Sequence, residues 1–105
     1  MNDGDAQRQS SAAAKLDARL RREVETAQMT AAQADEVRRQ FERFEQQRTE
    51  IERDLRFRVV CFVAGERIVG DSVSAVVDEA KARFPGRMFY AETVGFDALG
   101  SVGSL

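Results

Sequence analysis

Apolar side chains recur at helical spacing through residues 11–56, a stretch that contains no Gly and no Pro. Apolar residues at two positions of a seven-residue repeat are typical of an amphipathic helix or a coiled coil. The stretch is also rich in Ala, Arg, Glu and Gln, which favour helices. One repeat position holds Ala13, Leu20, Ala27, Ala34, Phe41, Arg48 and Leu55, and the other holds Leu16, Glu23, Thr30, Val37, Phe44 and Ile51.

Two structures fit this helical arm. A continuous helix would have to pair with another chain to bury its apolar face, and the repeat runs through without a shift. A helical hairpin would break near Met29, where Thr30-Ala31-Ala32-Gln33 matches a capping box and Met29 can pack as a staple residue. Glu23 and Thr30 weaken the apolar face at that point and slightly favour the hairpin, whereas the absence of Gly and Pro favours the continuous helix.

Self-association through the arm follows from this pattern, because a lone helix would leave its apolar face in water. Arg48 is the charged residue in the strongest part of that face, residues 34–55. A charge there is expected to lower stability and to select the register or oligomer state. We call the residues expected at this oligomer interface the seam: Leu20, Val37, Phe41, Phe44, Arg48, Ile51 and Leu55.

From Phe57 onward the pattern changes to that of a small β-hairpin–helix–strand module. Phe57–Val63 is β-branched and aromatic and predicts a first strand. A tight turn over Ala64-Gly65-Glu66-Arg67 and a short second strand, Ile68-Val69, follow, and Ser72 is placed to cap a helix. That helix carries an apolar stripe and stops at Phe84-Pro85-Gly86, before a third strand from about Met88 to Val94.

The right-handed crossover rule predicts the strand order 2-1-3, with the helix on one face and two open edges. Phe89 and Tyr90 then point to opposite faces, and Tyr90 is the better candidate to cover the open face, because its hydroxyl can stay hydrated. A module this small buries little apolar surface. We therefore expect its bare face or edge to need the helical arm or a second subunit.

The two ends of the chain predict little structure. Residues 1–10 are polar and are expected to form a disordered leader, and residues 95–105 are expected to form a flexible Gly/Ser tail. The fold class is therefore α+β: an N-terminal heptad-patterned helical arm over 11–56, either a hairpin or a continuous coiled-coil helix, followed by a ββαβ module over 57–94.

Composition excludes several classes of partner. The 105 residues carry 16 basic and 18 acidic side chains, a net charge of −2, without a basic patch that would favour nucleic acid. No apolar run approaches the length of a membrane span, and the N-terminus lacks the pattern of a signal peptide. The single cysteine cannot form an internal disulfide, which favours a reducing compartment, and we expect a cytoplasmic protein.

Candidate chemistry is sparse. The chain has no histidine, so it lacks Ser-His and Cys-His pairs and imidazole metal ligands. Cys61 lies among Val and Phe and is expected to be a small buried hydrophobe. No glycine pattern fits a phosphate-binding loop. We expect no catalytic residue, no metal site and no cofactor, and hence a protein that is not an enzyme.

A first resemblance covers residues 57–95. The stretches Val63-Ala64-Gly65-Glu66-Arg67-Ile68-Val69-Gly70 and Glu79-Ala80-Lys81-Ala82-Arg83-Phe84-Pro85-Gly86, followed by Phe89-Tyr90 and Val94-Gly95, resemble a small prokaryotic domain of unknown function. The resemblance implies a ββαβ unit and brings no catalytic residues.

A second resemblance concerns Leu99-Gly100-Ser101-Val102-Gly103-Ser104-Leu105, which is similar to the C-terminal loading peptides of encapsulin cargo proteins. It implies an extended peptide whose spaced apolar side chains dock on a shell wall. The alternative is an ordinary frayed end. Four residues are the candidate partner contacts: Tyr90, Leu99, Val102 and Leu105.

The sequence supports two functional hypotheses. The first is a structural or adaptor protein that binds proteins and self-associates through the arm. The second is a cargo or accessory protein of an encapsulin-type shell, addressed by its tail. Neither involves nucleic acid or a membrane.

Overall fold

A computed structural model describes the backbone of residues 3–95 and 100–105 and the side chains of residues 12–95 and 100–105. Within these residues the chain is an α+β protein in which three helices enclose a four-stranded antiparallel sheet. The elements are α1 (Asp3–Glu25), α2 (Ala31–Asp54), β1 (Val59–Val63), β2 (Glu66–Gly70), α3 (Val73–Arg83), β3 (Met88–Thr93) and β4 (Ser101–Ser104).

The helical region contains two helices, α1 and α2, and not one continuous helix. Thr30 caps α2 in the capping box that the sequence predicts: its hydroxyl accepts from the Gln33 N–H at 3.1 Å, and its own N–H donates to Gln33 Oε1 at 2.9 Å. Helices often end at a glycine in the left-handed conformation. At the end of α1 this conformation is adopted by Ala27 (φ 58°), so the sequence does not mark the helix end with a glycine. The Gln28 N–H donates to the Glu23 carbonyl, which closes the helix end.

The first helix begins earlier than the sequence predicts. Its backbone is helical from Asp3 onward, within the segment that was expected to form a disordered leader. Ala6, Gln7, Arg8 and Gln9 are residue types with high helix propensity, and they lead into the helix that the apolar pattern predicts only from residue 11.

The sheet has the strand order β2-β1-β3-β4, so the predicted 2-1-3 arrangement with β1 at the centre is present. β1 and β2 are joined by Ala64 and Gly65, both at positive φ (51° and 79°). A two-residue turn of this kind matches the right-handed twist of an antiparallel hairpin. The second strand, Glu66–Gly70, is therefore longer than expected, because the turn takes two residues and not four.

β4 is the main departure from the sequence-based expectation. Ser101–Ser104, expected to be flexible, pairs with β3 in antiparallel register, with Val102 opposite Tyr90. One of the two predicted open edges is thus occupied by the chain's own C-terminal segment. Residues 96–99 of the predicted tail lie outside the described residues.

The sheet separates two apolar cores. The α1–α2 hairpin covers one face, where its apolar side chains pack against Val60, Phe62 and Tyr90. α3 covers the other face and packs against Cys61, Phe89 and their neighbours. Phe89 and Tyr90 therefore lie on opposite faces, as predicted, and the face that the ββαβ module leaves bare is covered by the chain's own helices.

Replacing each of two alanines in this region by glycine should change the stability in opposite directions. Ala27→Gly should stabilise the protein by about 1 kcal/mol, because glycine adopts positive φ without strain. Ala18→Gly, at an exposed position within α1, should destabilise it by about the same amount. Urea unfolding measures both. If Ala27→Gly is destabilising like Ala18→Gly, the helix continues through residue 27 and the hairpin is wrong.

Candidate functional site

The seam residues lie inside the chain's own core. Leu20, Val37, Phe44 and Ile51 are fully buried, Phe41 is nearly so, and Leu55 packs at the margin of the same core. They share one core with other side chains of α1 and α2 and with side chains of β1 and β3. A self-association through these residues would require the hairpin to leave the sheet.

Aromatic contacts form the centre of this packing. The rings of Phe41 and Phe44 meet the Tyr90 ring edge-on, with centroids 5.1 Å and 5.7 Å away, and Phe44 also meets Phe62 at 5.7 Å. Edge-to-face geometry is favourable for aromatic rings and adds to the gain from burial. Tyr90, a candidate partner contact, is therefore a core residue that is only 4% exposed.

Two polar side chains of α2 fix its position along the sheet. Gln40 Oε1 accepts from the Gly65 N–H in the β1–β2 turn at 3.1 Å. Glu36 Oε1 accepts from the Met88 N–H at 2.8 Å and from Arg87 Nε at 2.9 Å. Burial alone would raise the pKa of Glu36, but the hydrogen bonds from Met88 and Arg87 together outweigh it and lower that pKa.

The densest group of ionisable side chains surrounds Arg48, and we call Arg48, Glu45, Glu52, Tyr90 and Glu92 the Arg48 cluster. Arg48 donates from Nη1 to Glu92 Oε2 at 2.9 Å and from Nη2 to Glu92 Oε1 at 3.1 Å. It also donates to Glu45 and reaches Glu52 at 3.3 Å. The Tyr90 hydroxyl donates to Glu92 Oε1 at 2.8 Å.

Arg48 makes a contact that its heptad position does not predict. Its side chain is 14% exposed, and its guanidinium joins α2 to β3 within one chain and lies 4.7 Å from the centre of the Phe44 ring. The heptad pattern could not indicate its partner Glu92, because that residue is 44 positions away in sequence. The expectation that Arg48 lowers stability at an oligomer interface stays a prediction.

Two members of the Arg48 cluster, Tyr90 and Arg48, hold their protons firmly. Burial raises the pKa of Tyr90, and the neighbouring Glu92 raises it further. Burial would lower the pKa of Arg48, but the hydrogen bonds to Glu92 and Glu45 outweigh it and raise that pKa. A group that serves as a general acid or base at neutral pH needs a pKa near 7, and neither shift is in that direction. The arrangement supports a structural role.

Cys61 is equally unsuited to nucleophilic chemistry. It is fully buried on β1, and burial raises the pKa of its thiol to about 12. Since the thiolate is the reactive form, a buried thiol with a raised pKa is inert.

Removing Arg48 gives a stability test of this cluster. Arg48→Leu should lower the free energy of unfolding by about 3 kcal/mol, because Glu92 and Glu45 would lose their counterion in a partly buried site. Arg53→Leu is the matched control: Arg53 also pairs with a carboxylate, Asp54, but its side chain is 69% exposed. Urea unfolding should show little change for the control. A rise in stability for Arg48→Leu would instead match the role that the heptad pattern predicts.

The outer side of β4, which we call the β4 edge, is the second candidate. The Leu105 N–H donates to the Arg87 carbonyl at 2.9 Å. Because antiparallel pairs alternate, this bond and the register direct the N–H and C=O of Ser101 and Gly103 toward β3 and those of Val102 and Ser104 away from it. Among the described residues, no hydrogen bond uses the outward groups of Val102 and Ser104.

The position of β4 depends on Tyr90 and on α1. A Cβ atom on Gly100 would lie 2.5 Å from the Tyr90 ring, so only glycine lets the chain cross the ring this closely. Arg19 of α1 donates from Nη1 to the Gly100 carbonyl at 2.9 Å. Val102 then packs at the margin of the core under α1 and α2, and Leu105 at the margin of the core under α3.

The candidate partner contacts are thus only partly brought together. Tyr90 and Val102 are cross-strand neighbours, Leu105 lies on the opposite face, and Leu99 lies outside the described residues. Docking of the tail in a shell would require β4 to leave β3. The address hypothesis stays a prediction.

The two sheet edges differ in charge. β2 carries Glu66 and Arg67, and Arg67 reaches Gln47 at 3.1 Å and Glu50 at 3.5 Å on α2. β4 carries no charged side chain, proline or bulge. Charges on an edge strand oppose pairing with another chain, so β4 is the less protected edge. The sequence does not predict this strand, because Ser and Gly have low strand propensity.

The other surfaces of the described residues are weaker candidates for a functional site. A shallow hollow of about 510 Å³ along α1 is lined by Lys15, Ala18, Arg19, Arg22 and Glu23. Arg19 in this group already binds Gly100 and Glu23. Within the described part of the chain, no group of three or more metal-binding side chains is placed to hold an ion.

No family model, curated protein or solved structure was found to match the chain. The two resemblances drawn from the sequence therefore stay predictions. Among residues 3–95 and 100–105, no helix has an apolar stretch sufficient to cross a membrane.

Proposed function

We propose that this chain is a non-catalytic protein-binding module that binds an extended segment of a partner at the β4 edge. The observation that carries the proposal is the set of outward N–H and C=O groups on Val102 and Ser104, which lack partners among the described residues and lie on an edge without charge. An added strand satisfies such groups through main-chain hydrogen bonds, which supply affinity, while neighbouring side chains supply specificity.

Two further features support a binding role over a catalytic one. The ionisable side chains of the Arg48 cluster bind one another, and Cys61 is a buried thiol. The apolar face of the helices is used within the chain, so the interface that we propose is the β4 edge and not the seam. The proposal keeps the cytoplasmic location that a single unpaired cysteine favours.

A short strand-forming peptide tests the proposal. The probe is a capped peptide, Lys-Thr-Val-Thr-Val-Lys, added to isotope-labelled protein at millimolar concentration. We expect slowed amide exchange at Val102 and Ser104, whose N–H groups face outward, with weak affinity because few bonds form. The outward amides of Arg67 and Val69 on β2 are the internal control and should not change. Equal slowing on both edges, or fast exchange at Val102 and Ser104 both with and without the peptide, would contradict the proposal.

A further inference from the structure

The free hydrogen-bonding groups of the β4 edge are complementary to those of the same edge in a second copy of the chain. Val102 and Ser104 each present one donor and one acceptor outward, two residues apart. In an antiparallel pair of two β4 strands centred on Gly103, Val102 of each copy lies opposite Ser104 of the other. Residues in such a pair exchange both bonds, so every outward group of Val102 and Ser104 in both copies is satisfied.

The alternative register in which Val102 lies opposite Val102 of the second copy satisfies fewer groups. Ser104 then lies opposite Gly100, whose carbonyl Arg19 already holds, so the Ser104 N–H has no free acceptor. The run of free groups is also short, because Arg19 already holds the carbonyl of Gly100, the preceding outward residue. The free run among the described residues therefore begins at Val102 on that side, and a second β4 presents a free run of the same two residues.

The residue at the centre of this pairing has no side chain. Gly103 would face Gly103 of the second copy as a non-hydrogen-bonded pair, where Cα atoms lie about 4.5 Å apart. The side chains that flank this centre are uncharged, so no like charges are brought together: Val102 lies opposite Ser104, and Ser101 opposite Leu105. The result is one continuous sheet in which β4 of each copy is an interior strand.

We infer that the occupant of the β4 edge is β4 of a second copy of this chain, paired antiparallel about Gly103. This inference rests on the proposed function and names its partner. The pairing is isologous, as in most two-fold symmetric dimers, and it leaves the core of each copy unchanged.

Ser104→Pro tests the inference with little effect on the fold. Ser104 is exposed and its N–H points away from β3, so proline removes an outward donor and blocks the edge without breaking the β3–β4 ladder. Sedimentation equilibrium should show a wild-type dimer at high micromolar concentration. The dimer of Ser104→Pro should be weakened by at least about tenfold, because two interchain bonds are lost.

Two variants serve as controls for this experiment. Ser104→Ala keeps the N–H and should dimerise like the wild type. Val69→Pro removes an outward donor from the opposite edge, on β2, and should also leave the dimer intact.

A cross-linking measurement remains informative if Ser104→Pro folds poorly. Gly103→Cys should form an interchain disulfide on mild oxidation, because a Cα separation of about 4.5 Å lies within the disulfide range. Ser104→Cys should not link to itself, since it faces Val102 of the second copy. The native Cys61 is fully buried and does not compete.

The outcomes separate this inference from the proposed function. A wild-type monomer whose Val102 and Ser104 amides are protected by the peptide overturns the second-copy inference and keeps strand addition. A dimer that survives Ser104→Pro and fails to cross-link through Gly103→Cys also overturns the inference, because it uses another surface. A monomer that does not bind the peptide contradicts both.

Discussion

The structure depends on the docking of α2 on β1 and β3. The Phe44 ring contacts both Phe62 and Tyr90, and the Phe41 ring contacts the same tyrosine. Each aromatic pair contributes about 0.5–1.5 kcal/mol beyond the gain from burial. Without α2, the face of the sheet that carries Tyr90 would lie open to water, and the ββαβ module would have an apolar core on one side only.

Several polar and backbone features follow from this docking. Arg48 lies one helical turn after Phe44 and is therefore brought to Glu92 on β3, where an otherwise costly pair of buried charges becomes well hydrogen-bonded. The Tyr90 ring, held by the helix, provides the surface that Gly100 crosses, and β4 begins at the next residue. The contact of α2 with Tyr90 therefore both completes the core and determines where the β4 edge lies.

The sequence predicts the elements of this fold better than their contacts. A repeat of apolar residues indicates which side of α2 is buried, but the same pattern suits a partner helix and a sheet, so it could not show that Phe44 meets Phe62. The Thr30 cap was predictable because Gln33 is three residues away. β4 was not, because Ser101 and Gly103 lack strand propensity and their placement depends on Tyr90, a residue ten or more positions earlier.

The helices cover one face of the sheet within one chain, and we expect this packing to hold whatever the oligomeric state. Tyr90 is the single tyrosine of a chain without tryptophan, so its fluorescence reports directly whether Phe41 and Phe44 remain in place. The measurement is Tyr90 emission, recorded with mass in solution, as the protein is diluted from high to sub-micromolar concentration. We expect native emission throughout, even where the mass has fallen to that of a monomer. Emission that moves to the urea-unfolded value as the mass falls would show that the apolar face of the helices needs a second chain, and would contradict packing of the helices on the sheet within one chain.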